Sequence, residues 1–453
     1  MTGAREVAYE TLRAVHESDA YANLLLPAAI ERAGLSAGDA ALATELTYGT
    51  LRRRGTYDAI IGIAADRAPS SIDPEILDAL RLGVHQLVAT RVASHAAVNE
   101  SVTLARRVGG RGAAGFTNAV LRRVSRDTPG EWADRVAETA RSDDEAIALS
   151  SSHPVWVIRA FRRALAAEGR ADELGALLTA DNTAPRVTFA ALPGLAEPGA
   201  DARRTPFSPL GFRLAGGAPE AVVNASDGRI RVQDEGSQLA ALALTRARAV
   251  ETGERWLDLC AGPGGKTAVL AAEALAHGAR LDANEISPAR AGLVRRSIAG
   301  VPLEVEVTER DGRDLTAERP GTYDRILVDA PCTGLGALRR RPEARWRKAP
   351  GDVAELTALQ GELLGGAIEA LAPGGIVAYV TCSPHLAETT GVVAEARRRF
   401  GDAVEELDAR AVVSEVALSS PDLTAQTDGS GRAQLWPHRH NTDAMSITLL
   451  RRT

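Results

Sequence analysis

The chain has 453 residues, 45% of them apolar and 25% charged, which excludes a disordered or fibrous protein and leaves room for about three domains. A net charge of −6 excludes a uniformly basic nucleic-acid binder, so any RNA contact must be a local patch. Three widely spaced cysteines, Cys260, Cys332 and Cys382, with no Cys-x-x-Cys pair, suit neither a disulfide framework nor a zinc site. With no signal-peptide pattern at the N-terminus and no apolar run near the roughly 20 residues of a membrane span, the expected setting is cytoplasmic, without membrane or metal.

Residues 1–128 read as nearly all helix. Val7, Leu12 and Val15 recur at helical spacing in residues 4–16, and Leu42, Leu46 and Leu51 in residues 37–53. Asp73-Pro74 has the form of a helix start, with the proline in the first turn. No βαβ rhythm interrupts the pattern, so a helical bundle is expected, with His85 and His95 structural. Three pieces carry a resemblance: Ala43-Thr-Glu-Leu-Thr-Tyr-Gly-Thr-Leu-Arg-Arg53, His95-Ala-Ala-Val-Asn-Glu100 and Gly115-Phe-Thr-Asn-Ala-Val-Leu-Arg-Arg123. They resemble the NusB-like domain fused to bacterial Sun/RsmB-type ribosomal RNA methyltransferases. In that family such bundles bind RNA and protein.

Residues 129–144 turn polar and acidic after Pro129-Gly130 and are expected as a linker that still contains a helix. Residues 145–240 read as a small α+β subdomain. A helix follows the break Ser152-His-Pro-Val-Trp156, a short strand ends at Phe189, and residues 193–209 are loop. Arg229-Ile-Arg-Val-Gln-Asp-Glu-Gly-Ser-Gln238 runs from strand through a polar turn into helix.

Residues 241–453 alternate. Strands are expected at 256–260, 280–285, 303–307, 323–331 and 376–382, with helices at 266–277, from Ser287-Pro288, and at 352–371; a last strand covers 445–450. Strands separated by helices predict a Rossmann-like α/β domain with a mostly parallel sheet, and ligands then bind at the carboxyl ends of its strands. The centre of this domain is Trp256-Leu-Asp-Leu-Cys-Ala-Gly-Pro-Gly-Gly-Lys-Thr267, an apolar strand that breaks into a glycine-rich turn and opens a helix. The phosphate-loop pattern would need glycine at Cys260, and the dinucleotide fingerprint would need glycine at Thr267. Each fails by one residue. S-adenosyl-L-methionine fits better, because it needs bare backbone against its methionine and adenosine and acids near its ribose and sulfonium. Glu285, Asp311 and Asp329 supply acids at or just after three strand ends; Asp282 competes with Glu285 but lies further from the tip.

Two cysteines indicate the reaction. Asp329-Ala-Pro-Cys-Thr-Gly-Leu-Gly336 and Val380-Thr-Cys-Ser-Pro-His385 follow neighbouring strands, so Cys332 and Cys382 share one lip of the sheet with Asp329. Carbon 5 of cytosine is too weak a nucleophile to attack a methyl sulfonium unaided. A thiolate adding to C6 makes it enamine-like, and a carboxyl at the N3 edge supports the addition. These motifs match the Sun/RsmB-type RNA cytosine-C5 methyltransferases over nearly the whole chain. The resemblance implies Cys382 as nucleophile, Cys332 in product release and Asp329 at N3. It implies a cofactor site of Cys260, Ala261, Gly262, Pro263, Gly264, Gly265, Lys266, Glu285, Asp311 and Asp329. The implied substrate is 16S rRNA at a cytosine of the 967 type, met by a monomer before full subunit assembly.

Glu285 stands where the family more often has Asp, and Pro384-His-Leu-Ala-Glu-Thr389 replaces the usual Pro-Glu-Glu-Asn after the Thr-Cys motif. His385 is either a substrate contact or a surface residue, and His438, in Pro437-His-Arg-His440, either lines the site or makes a structural turn. Arg339, Arg340, Arg341, Arg345 and Trp346, just after the Pro-Cys loop, are the expected RNA contacts. The competing readings are the same chemistry on transfer RNA, and a non-catalytic RNA-binding or antitermination protein.

Overall fold

Apolar residues three and four apart are buried along the first third of the chain in the computed structural model, which describes residues 3–18, 20–217 and 219–453. Met1 and Thr2, where the signal-peptide reading starts, lie outside the described residues. The helices are α1 (Ala4–Glu17), α2 (Ala22–Ala33), α3 (Ala37–Arg52), α4 (Arg54–Ala65), α5 (Pro74–Ala89) and α6 (Ser94–Val124). Asp73 caps α5 by accepting a hydrogen bond from Glu75 N, with Pro74 at the first helical position. α5 is the central helix, buried continuously from Ile76 to Gln86. α6 breaks at Gly110, whose φ of +71° no helix accommodates.

The stretch expected as a linker is mostly helix. α7 (Pro129–Glu138) opens on a capping box between Thr128 and Glu131, and α8 (Asp143–Ser151) follows. Trp132 is buried in the same core as α1 and α5, and its indole N–H donates to Val124 O at 2.9 Å. The chain divides into two units, and this helical one comprises Met1–Arg159, Asp181–Ala184 and Leu338–Lys348.

The second unit comprises Ala160–Ala180, Pro185–Ala337 and Ala349–Thr453. Helices α9 (Val155–Ala166) and α10 (Leu174–Asp181) precede a small antiparallel sheet of β1 (Phe189–Ala191), β2 (Arg203–Arg204), β3 (Gly211–Arg213) and β4 (Ile230–Val232), in the order β2-β3-β1-β4, with α11 (Pro219–Ala225) between its last two strands. Helix α12 (Glu235–Arg246) spans the boundary expected at 240. Its residues Leu239 to Leu244 are buried in one cluster with Trp256, Leu270 and Ile376.

The large sheet follows: β5 (Arg255–Asp258), α13 (Gly265–His277), β6 (Arg280–Asn284), α14 (Pro288–Ile298), β7 (Val305–Thr308), α15 (Gly312–Ala317), β8 (Tyr323–Asp329), α16 (Asp352–Ala370), β9 (Leu371–Thr381), α17 (Val392–Phe400), β10 (Val404–Leu407), α18 (Ala409–Val416), β11 (Ala433–Gln434), α19 (Pro437–His440) and β12 (Ser446–Arg452). The strand order is β10-β12-β9-β8-β5-β6-β7, with β11 on β12. β7, β6, β5, β8 and β9 are parallel, and β12 runs antiparallel to β9 and β10. The order reverses at β5, which lies between β6 and β8, so the glycine turn after β5 sits at the switch point where ligands bind in such sheets.

Candidate active site

Strand β5 is apolar because both faces are covered: Trp256 packs with α12 and α13, and Leu257 packs with α16. Past Asp258 the backbone turns sharply through Cys260 to Gly264, which has φ +103° and forms the N-cap of α13. Gly262 approaches the next strand end so closely that a Cβ there would stand 2.2 Å from Glu285 Oε2. Glu285 is 3% exposed and accepts from Gly262 N and Ser287 N, both at 3.0 Å. Arg290 closes the rim by donating to Gly262 O. Ile286, beside this buried acid, is 62% exposed.

The other acids differ in environment. Asp282 is spent away from the turn, where it accepts from Tyr323 OH and pairs with Arg255 and Arg319. Asp311 caps α15, and its carboxylate is gripped by Arg313, which holds it below the usual aspartate range. Asp329 ends β8 and accepts from Lys266 Nζ at 2.7 Å. Burial would lower Lys266, but its contact with Asp329 outweighs that and raises it, so Lys266 keeps its charge.

Asp258 is an acid that the sequence reading passed over, since a strand interior rarely holds a working carboxylate. It is 1% exposed, Thr267 Oγ1 donates to its Oδ2 at 2.7 Å, and its Oδ1 is buried without a hydrogen-bond partner among the described residues. Burial pushes it up to about 7. Bare backbone that leaves no room for a side chain, a buried acid at the β6 tip and an unanswered carboxylate oxygen together fit a cofactor with hydroxyl and ammonium groups. S-adenosylmethionine is of that kind.

Cys332 and Cys382 meet beside Asp329, with their Sγ atoms 3.5 Å apart. They are not equivalent. The hydrogen bond with Cys382, and then burial, raise Cys332 well above a normal thiol, while the same hydrogen bond lowers Cys382. The shared proton is therefore favoured on Cys332 and the negative charge on Cys382, with Lys266 also favouring the charged form of Cys382. Cys260 is raised by burial and then by Asp258, Asp329 and Glu285, so it stays a neutral thiol. The loops are fixed to each other: Gly336 N donates to Cys382 O at 2.8 Å, and Ala444 N to Gly336 O at 2.9 Å.

The arginine run after the Pro-Cys loop has a different place from the one its sequence suggests. Arg345 is 0% exposed within the helical unit. It donates to Arg52 O, Ser152 O, Asp181 O and Asn182 Oδ1 at 2.9–3.1 Å, and burial pulls it down to about 9. A phosphate cannot reach it there. Arg339 is buried as well, and its carbonyl accepts from Arg52. Arg341 lies over the Tyr21 ring at 4.9 Å, and Trp346 lies against Gly55 with Arg54 over its ring. Arg340 is half-buried. Arginine runs elsewhere in the chain, at 295–296 and 397–399, are ion-paired on helix faces: Arg295 with Glu309, Arg397 with Glu406 and Arg399 with Glu369.

His438 donates to Glu173 at 2.8 Å, Arg439 pairs with Glu168, and His440 accepts from Trp436 N, so this turn is firmly tied. His385 is half-buried, with its Nδ1 accepting from Ala387 N. Among the described residues, no helix is long and apolar enough to cross a membrane and no cluster is placed to hold a metal ion.

The family model for 16S rRNA methyltransferase RsmB/F matches residues 246–451, and that of the NusB family matches residues 2–126. A candidate methyltransferase of Mycobacterium tuberculosis is 50% identical across 99% of this chain and 96% of its own length. Ribosomal RNA small subunit methyltransferase B of Pseudomonas putida is 32% identical across 94% of this chain and 95% of its own. The crystal structure of PH0851 has the same fold, with a TM-score of 0.80 at 21% identity, covering 99% of this chain and 98% of that one.

Proposed function

Because the chain belongs to the RsmB/F family of 16S rRNA methyltransferases, which use S-adenosylmethionine and here carry a NusB-type helical unit, we propose that it methylates carbon 5 of a cytosine in 16S rRNA, of the 967 type, through a covalent adduct. The observation that carries this reading is the Cys332–Cys382 pair at 3.5 Å beside the Lys266–Asp329 ion pair.

The cofactor, when bound, supplies an electrophilic methyl group on a positive sulfur. Gly262 and Gly264 would let its backbone-facing side approach, Glu285 would take its ribose hydroxyls, Ile286 would give its base an apolar face, and Asp258 Oδ1 would meet its ammonium. Asp311, already gripped by Arg313, would have its remaining lone pairs for the adenine amino group.

The Cys382 thiolate adds to C6 of an unstacked cytosine, and electron density passes to C5. Asp329, bonded to Lys266, faces the N3 edge and relays a proton from Lys266 to N3, which neutralises the negative charge that builds there. After methyl transfer a base takes the C5 proton, the C5–C6 double bond re-forms, the N3 proton returns through Asp329, and the C6–S bond breaks, so Cys382 leaves as a thiolate. The Cys332 S–H steadies that thiolate by hydrogen bonding across the 3.5 Å between the two sulfurs. The chain acts as a cytoplasmic monomer on rRNA not yet enclosed in a finished subunit.

The test is a pair of variants with labelled cofactor and RNA. Cys382→Ala should abolish transfer, whereas Cys332→Ala should accumulate a protein–RNA adduct on denaturing gels. Turnover retained in the first variant would reject Cys382 as the nucleophile, and a product other than 5-methylcytosine would reject the reaction.

A further inference from the structure

Resting on the covalent reading above, we propose that Glu388 is a positioning residue: a single buried carboxylate that locks the Cys332 and Cys382 loops into the one arrangement in which their sulfurs share a proton. It lies in the turn Ala387–Gly391 and is 0% exposed. Its Oε1 accepts from Thr333 N at 2.7 Å and Gln360 Nε2 at 3.2 Å. Its Oε2 accepts from Thr333 Oγ1 at 2.5 Å and Ser383 Oγ at 2.6 Å.

The identity of these donors carries the argument. Thr333 follows Cys332 directly, and Ser383 follows Cys382 directly. The two hydroxyls also touch each other at 3.0 Å. Gln360 extends the clasp by donating to Pro331 O at 2.8 Å, on the other side of Cys332. Tyr379 OH secures the turn from below by donating to Glu388 O at 2.7 Å. One carboxylate has about four acceptor sites, and here four donors fill them, two from the Cys332 loop, one from the Cys382 loop and one from α16. A carboxylate without water is tolerable only when so satisfied, and sealed in this way it cannot touch substrate.

A staple alone would need no charge. Glu388 faces Cys332 together with Tyr379, and its charge favours the protonated form of that thiol, in the same sense as the Cys382 hydrogen bond. Cys382 is faced by Cys332, Lys266, Asp329 and Asp443. Removing the Glu388 charge therefore acts on one member of the pair and reaches the other through the shared proton.

The experiment uses the full chain without RNA. Wild type, Glu388→Gln and Ser383→Ala are treated with iodoacetamide from about pH 6 to 9, and alkylation of each cysteine is followed by peptide mass spectrometry. Wild type should label Cys382 over Cys332. Glu388→Gln, close in shape and uncharged, should cut that preference by about tenfold, the size of one buried hydrogen bond, and move the midpoint for Cys382 to higher pH. Ser383→Ala removes one small donor and should shift both in the same direction by less, so it decides the matter if Glu388→Gln does not fold. In turnover, kcat should fall while KM for cofactor holds. A folded Glu388→Gln with unchanged labelling preference and midpoint would overturn the proposal, whatever its methylation rate. Failure of wild type to make 5-methylcytosine would instead sink the reaction assigned above and leave the alkylation result standing.

Discussion

Replacing Gly262 with Ala tests the cofactor cradle at its tightest point. The new Cβ would stand 2.2 Å from Glu285 Oε2 and 2.8 Å from Arg290 Nε. Ordinary carbon–oxygen contact is near 3.2 Å, so the carboxylate must retreat by about 1 Å. That stretches its 3.0 Å hydrogen bond from Gly262 N to about 4 Å, beyond bonding range. At 3% exposure Glu285 has no solvent to swing into. The overpacking should cost about 1–3 kcal/mol of stability. A displaced acid that misses the ribose hydroxyls should forfeit roughly 1.5–3 kcal/mol of binding, which is about a ten- to hundredfold loss of affinity. Titration calorimetry with S-adenosylhomocysteine measures the loss, and a thermal melt measures the strain. Gly265→Ala is the internal control, because the nearest atom to its Cβ is 3.6 Å away. Equal affinities for Gly262→Ala and wild type, to within about twofold, would refute the cradle.

Asp258 and Glu254 should give opposite pH signatures. Asp258 is raised by burial to about 7, so the folded state holds an extra proton between the normal 3.8 and that value. Its contribution to stability is lost as pH rises through the window, at up to about 1.4 kcal/mol per pH unit, and urea titrations of Asp258→Asn should show a flatter profile from pH 4 to 7 than wild type. Burial would raise Glu254, but Arg325, 0% exposed and donating at 2.7 Å, holds it at about 2. Its contribution is present above the normal 4.5 and lost as pH falls towards 2, so Glu254→Gln should remove part of the acid transition; identical acid denaturation would refute the pairing. Arg345→Met should strip donors from Arg52 O, Ser152 O and Asp181 O and destabilise the helical unit by about 3–5 kcal/mol. Hydrogen exchange over residues 1–159 reads this directly, and unchanged protection there would show that the buried fork is dispensable.

What could be read in the sequence was what is local in it. The glycine turn, Glu285, Asp329 and both cysteines each lie within a few residues of a strand end, and in a parallel sheet that position alone assigns them to one lip. Strands β10 and β11 escaped notice because they are two to four residues long and β10 alternates through Glu405 and Glu406 without an apolar run. Residues 129–144 looked like a linker because their composition is acidic, yet one residue, Trp132, is enough to fasten α7 into the helical core.

The arginines show where local reading must stop. Arg345 and Arg397 look alike in sequence, each within a basic run. One lies on a helix face with Glu406; the other is enclosed by carbonyls from residues 52, 152 and 181. No window of sequence around residue 345 contains those acceptors, so its burial is a property of the assembled helical unit alone. Glu388 follows the same logic in reverse. Its sequence neighbours mark it as a leftover acid of a degraded motif, whereas its meaning comes from Thr333, 55 residues away. The one acid that survives from that motif is the one on which donors from both cysteine loops converge.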